Sequence, residues 1–283
     1  MKSDIVLKVL LMYANVESLS PSSKLVYEYL KFMESRKLEK AKKMLSNDFL
    51  MIFPGSMKFK YLDELINYGK KRQFSVFKTF ESFEEIKKND LSIVYLRGKL
   101  FGISLKNKEY NDIRYIDKFT ILKNKFIKQE VWNDFAINNL SENNYPLPEK
   151  YQTSIEINEI DISISLEVLK FISSFDCKHE KLYLSNLDDN FFAILPGNKL
   201  LKVQEFFKYL NHERKKSDRK IFEISLMENK NYQVIYLNGT ISSIDSGVKK
   251  YKNIRFIERI KFDMILRKVL TYEIWDDLSE HGF

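Results

Sequence analysis

Apolar residues recur along this chain with two different periods, and the periods change in a fixed order. In Ser22–Glu34, Leu25, Tyr29, Phe32 and Met33 fall at helical spacing, as do Leu166, Leu169 and Phe171 in Ser163–Ser174. Second helices are predicted over Leu38–Leu45 and Lys178–Leu187, and third ones over Lys60–Arg72 and Leu201–Lys216. A short extended run ending in Pro-Gly, a turn signal, precedes each third helix. The remainder of the first half alternates at period two, predicting strands Phe74–Lys87, Leu91–Leu105, Tyr110–Leu122 and Phe126–Asp134. Helices followed by a run of strands read as α+β.

The order repeats because the chain repeats. Phe53-Pro54-Gly55 returns as Leu195-Pro196-Gly197, and Val94-Tyr95-Leu96-Arg97-Gly98 as Ile235-Tyr236-Leu237-Asn238-Gly239. Ile113-Arg114-Tyr115-Ile116-Asp117-Lys118-Phe119 returns as Ile254-Arg255-Phe256-Ile257-Glu258-Arg259-Ile260. Glu130-Val131-Trp132-Asn133-Asp134 returns as Glu273-Ile274-Trp275-Asp276-Asp277, a pair that holds both tryptophans of the chain. The four offsets are 142, 141, 141 and 143 residues, far longer than a solenoid period. Two tandem domains are expected, over 21–140 and 163–283. A linker is expected over 141–162, where Pro146 and Pro148 break periodicity, and an N-terminal arm or helix over 1–20.

Each half resembles the nuclear-transport-factor-2-like superfamily and, within it, the SnoaL-like proteins. The likeness rests on the element order, the Arg-x-Ile-Asp/Glu strand and the closing Glu-x-Trp-x-Asp strand. It implies two cone-shaped domains, each with its N-terminal helices packed in a curved antiparallel sheet around a pocket. It also implies a small-molecule ligand, and an intrachain domain pair in place of the homodimer many members form. The superfamily includes polyketide cyclases and isomerases that need no cofactor, together with members that are not catalysts, so it leaves enzymatic activity open.

Composition narrows the chemistry. The 283 residues are 44% hydrophobic, which supplies a sizeable core and excludes a disordered chain. One Cys and three His argue against a structural zinc site, so no metal is expected. Cys177 and His179 would need ligands from elsewhere. No cofactor is expected either, because no phosphate-cradling glycine loop and no nucleophile elbow appears. Nowhere does the chain hold the run of about 20 apolar residues that a membrane span requires. Lys8 interrupts the apolar N-terminus and no cleavage site follows, so no signal peptide is expected and a cytoplasmic location is. The net charge of +8 is concentrated in 21–140, with 24 basic and 15 acidic residues. That region lacks an Arg-rich cluster, an RNP-like motif or a basic recognition helix, which speaks against nucleic acid.

Strand alternation then singles out candidate residues. Asp117 shares a face with Ile113, Tyr115 and Phe119, and Glu258 shares one with Ile254, Phe256 and Ile260. A carboxylate on an apolar face is desolvated and its pKa rises unless a donor pairs it, a condition suited to a general base. Asp117 and Glu258 are therefore the candidate catalytic residues. Tyr95, Trp132, Tyr236 and Trp275 are candidate ligand contacts, as hydroxyl donors or stacking walls. Arg114 and Arg255 fall on the opposite face, where they could pair with acids of the other domain. Three functions follow from this pattern: binding of a small hydrophobic or acidic molecule in a cone pocket, acid–base isomerase or cyclase chemistry, and a protein-interaction module.

Overall fold

In the computed structural model, residues 16–141, 144–148, 164–174, 186–212, 217–244 and 250–283 are described. They divide into two compact units, 1–142 and 143–283. Of the second helix predicted over Lys178–Leu187, only Asn186, in a turn, and Leu187, which begins a strand, are described, and Cys177 and His179 lie outside the described residues.

The first unit opens with α1 (Pro21–Glu34) and α2 (Leu38–Lys42). Ser20 caps α1 by accepting from the Ser23 amide at 3.1 Å, and Pro21 stands where no amide donor is missed. Val26, Tyr29 and Leu30 form the buried face of α1. The chain then runs through β1 (Leu45–Phe53), β2 (Met57–Phe59) and α3 (Leu62–Lys70). At the Pro-Gly turn between β1 and β2, Gly55 adopts φ 76°, and Gly197 repeats the angle in the second unit. The α3 helix begins later than its periodicity predicts. The Glu64 carboxylate accepts the amides of Lys60 and Tyr61, which sets the helix start after them.

The rest of the unit is β3 (Gln73–Lys78), β4 (Ser82–Lys88), β5 (Leu91–Ser104), β6 (Glu109–Leu122) and β7 (Lys125–Asn133). Sheet order is β2-β1-β7-β6-β5-β3, with β4 also on β5. Two features depart from the sequence reading. The strand expected over Phe74–Lys87 breaks into β3 and β4, because Thr79–Glu81 bulges where it crosses Gly98. Second, the sheet is mixed, since β1 enters beside β7 in parallel. The core lies between α1 and the sheet face that carries Leu96, Ile113, Tyr115 and Phe119.

The second unit contains α4 (Leu166–Ser174), β8 (Leu187–Leu195), β9 (Lys199–Lys202) and α5 (Val203–His212). Strands β10 (Ser217–Glu228), β11 (Tyr232–Ser243), β12 (Ile254–Asp263) and β13 (Lys268–Asp276) complete it. Its sheet order is β10-β11-β12-β13-β8-β9, and β8 again runs parallel to its neighbour β13. A bulge between Ile221 and Glu223 recurs opposite Gly239, the counterpart of Gly98. Both units are therefore α+β, with helices packed on one face of a mixed sheet.

Candidate functional site

The register of β6 decides what Asp117 can touch. Asp117 pairs with Leu96 on β5 and Val131 on β7, so its side chain enters the core beside Tyr115 and Phe119 and is fully buried. Lys78, on β3, reaches over β5 and donates from Nζ to Asp117 Oδ2. Gln129 Nε2 donates to the same oxygen at 3.4 Å, and Tyr29 donates to Gln129 Oε1 at 3.4 Å. The second carboxylate oxygen, Oδ1, is buried without a hydrogen-bond partner. Burial pushes the Asp117 pKa above the ordinary carboxylate value, and the Lys78 ammonium offsets only part of that shift. The Tyr29 and Tyr115 hydroxyls are likewise pushed upward by burial, with the nearby Asp117 carboxylate adding to it.

Lys78, Tyr115, Gln129 and Tyr29 also line a cavity of about 320 Å³ in the first unit. Asp117 stands behind that wall, in contact with it through Lys78 and Gln129. Most of the remaining lining is apolar, including Leu30, Met33, Phe53, Leu65, Leu100 and Phe135. The Lys78 ammonium also lies 4.2 Å from the centre of the Tyr115 ring, so the cation is held by both charge and aromatic face. A largely apolar cavity with a few placed polar groups is the usual construction of a small-molecule site.

The second unit repeats the positions with different groups. Arg219 stands 141 residues after Lys78 and donates to Glu258, which stands 141 residues after Asp117. Tyr272 stands where Gln129 does and donates to Glu258 Oε1 at 2.8 Å, so both carboxylate oxygens are engaged. The Tyr272 ring packs 5.2 Å from Phe206 and 6.0 Å from Phe171, and Phe206 occupies the helix position that Leu65 holds in the first unit. An aromatic cluster thus packs around the second carboxylate network.

The other sequence candidates lie on the opposite sheet faces. Tyr95 pairs across strands with Lys118, and Trp132 with Ile116, so both point away from Asp117 and neither lines the cavity. Tyr236 pairs with Arg259, and Trp275 with Ile257, which puts them on the face away from Glu258. All four are buried, and their neighbours include the ion pairs Lys118–Glu130 at 3.6 Å and Arg259–Glu273 at 3.0 Å. Arg114 pairs with an acid of its own unit. Its Nε meets Asp134 Oδ2 of its own unit at 3.0 Å, and Arg255 meets Asp277 in the same way at 2.9 Å. The closing Asp of each Glu-x-Trp-x-Asp motif is thereby accounted for.

Sequence reasoning passed over Lys78, Gln129, Arg219 and Tyr272. The signal was present for the first and third: both are basic, and their separation equals the repeat offset. Gln129 and Tyr272 carried no such signal, being chemically unlike.

No protein-family model matches the chain, and no curated protein does. Among solved structures, TerC co-crystallized with polyporic acid is similar over 43% of this chain and 98% of its own, at 16% identity and a TM-score of 0.37. An NTF2-like protein of unknown function from Burkholderia pseudomallei is similar over 42% and 95%, at 14% identity and a TM-score of 0.37. A protein described as a SnoaL-like polyketide cyclase, from Shewanella putrefaciens, is similar over 43% and 95%, at 9% identity and a TM-score of 0.36.

Proposed function

We propose that the first domain binds a small, largely apolar molecule in the cavity whose lining includes Lys78 and Gln129. One observation carries this reading. Asp117 is fully buried behind the wall of a largely apolar cavity, paired to a lining lysine, and keeps one buried oxygen without a partner. A buried polar atom left unpaired costs about 1–3 kcal/mol. Perturbed acids set beside cavities are characteristic of functional sites.

The raised pKa of Asp117 favours a second reading, in which the bound molecule is also a substrate. Lys78 would then face the ligand as a proton donor, and Asp117 would take up or return that proton from behind. This chemistry needs only a proton moved between a carbon or oxygen of the ligand and the Lys78–Asp117 pair. In the second domain Arg219 replaces the lysine and Tyr272 closes the network. We assign that domain a supporting role.

Thermal shift against a library of apolar ring acids and ketones tests the binding reading. A ligand at about 100 times its Kd adds roughly 2.7 kcal/mol of stability. Asp117→Asn then separates the two readings, since a catalyst loses turnover and a binding protein keeps its ligand.

A further inference from the structure

The polar groups of the first domain's cavity fall into three places, and two of them specify the ligand beyond being apolar. The following rests on the reading of that cavity as a ligand site. At its mouth lie Arg36, just past the end of α1, Lys70, in the last turn of α3, and Arg72. Arg36 donates to the Met33 carbonyl at 3.1 Å, and Arg72 donates to the Tyr68 hydroxyl at 2.9 Å. Neither Arg36 nor Lys70 meets a carboxylate among the described residues. The one carboxylate in the lining, Glu34, pairs with Lys31 at 2.7 Å and accepts the Lys78 amide at 3.2 Å. Arg36 and Lys70 therefore bring positive charge to the mouth that no carboxylate meets among the described residues.

Deeper in the lining, Gln73 is 5% exposed. Its Nε2 donates to the Leu140 carbonyl, which fixes the amide so that Oε1 is the remaining group. That oxygen is buried and has no partner. An acceptor left so in a lining residue is satisfied by a donor that enters and parts the wall around it.

We propose that the ligand is a hydroxylated ring carboxylate: an apolar ring body, a carboxylate at the Arg36–Lys70 mouth and a hydroxyl given to Gln73 Oε1. The cations supply attraction at the entrance, and the buried acceptor supplies orientation. Apolar walls such as Met33, Leu65 and Leu100 take up the ring between them.

Calorimetry of the full chain with three probes tests the proposal: hydroxynaphthoate, its methyl ester, and naphthoate lacking the hydroxyl. Hydroxynaphthoate is expected to bind tightest, with each of the other two about tenfold weaker, since each loses one polar contact. The double variant Arg36→Gln/Lys70→Gln is expected to bring the acid down to the ester's affinity and leave the ester's unchanged. If acid and ester bind alike, or the hydroxyl makes no difference, the proposal is overturned while the cavity remains a ligand site. If none of the three binds, the ligand-site reading falls and the proposal falls with it.

Discussion

Lys78 and Asp117 are joined across an intervening strand: the lysine lies on β3, the acid on β6, and β5 runs between them. The bond thus depends on how β3 runs along β5, and it brings a cation to an acid that Gln129 on neighbouring β7 also contacts. The same reach recurs from Arg219 on β10 over β11 to Glu258 on β12.

The first prediction concerns pH. Asp117 has its pKa raised by burial in the folded chain above the ordinary value of 3.8. The folded state therefore holds this proton at pH values where the unfolded chain has released it. Stability from this group is fully present below the unfolded value and is lost as pH rises through the folded one. Asp117→Asn removes that dependence. Urea midpoints measured from pH 4 upward should fall for the wild-type chain relative to the variant. Parallel curves would mean that Asp117 titrates normally.

The fold class was legible in the sequence because periods of 3.6 and 2 report burial directly, and the four repeated blocks reported the duplication. The face of Asp117 was legible for the same reason. What it pairs with was not. Lys78 and Asp117 are 39 residues apart, and their meeting depends on the bulge at Thr79–Glu81, which single-strand alternation does not encode. Tyr95 and Trp132 lay on predicted strands as candidate ligand contacts, but the register between β5, β6 and β7 was needed to put them on the face away from Asp117.

A second prediction exploits the difference between the domains. Leu65 lines the first cavity, and its counterpart Phe206 packs against Tyr272 in the second. Leu65→Phe should place a ring in the open space and weaken ligand binding by at least about tenfold, a loss of roughly 1.4 kcal/mol. Because the ring enters a cavity and not a filled core, the melting temperature should change by no more than a few degrees. Unaltered affinity in a folded variant would place the ligand elsewhere.

The third prediction concerns Glu258. Both of its oxygens are engaged, by Arg219 and Tyr272, and the Arg219 side chain is only 3% exposed. Glu258→Gln removes the carboxylate charge beside a buried guanidinium, and losing one partner of such a pair costs about 3–5 kcal/mol. Chemical denaturation should show that loss, while ligand affinity in the first domain stays unchanged. A stable Glu258→Gln chain with lost binding would reverse the roles assigned to the two domains.

The last prediction tests the bulge that aims Lys78. Gly98 lies on β5 where Thr79 passes over it, and a Cβ at Gly98 would fall on the Thr79 carbonyl oxygen. Backbone, unlike the tip of a side chain, cannot give way locally, so Gly98→Ala must push the Thr79–Glu81 segment off the sheet. Thr79 follows Lys78 directly, and its carbonyl accepts the Tyr115 hydroxyl at 2.8 Å, so displacement there also loosens the ring beneath the lysine. The cost in stability should be about 2–4 kcal/mol, at the upper end for a single substitution. Ligand binding should fall further than stability alone accounts for, because the residue that presents the ammonium has moved. Gly239→Ala in the second domain places a Cβ on the Lys220 carbonyl oxygen and supplies the control. It should cost similar stability and leave binding intact. Equal losses of binding in the two variants would show that the effect runs through general unfolding and not through the position of Lys78.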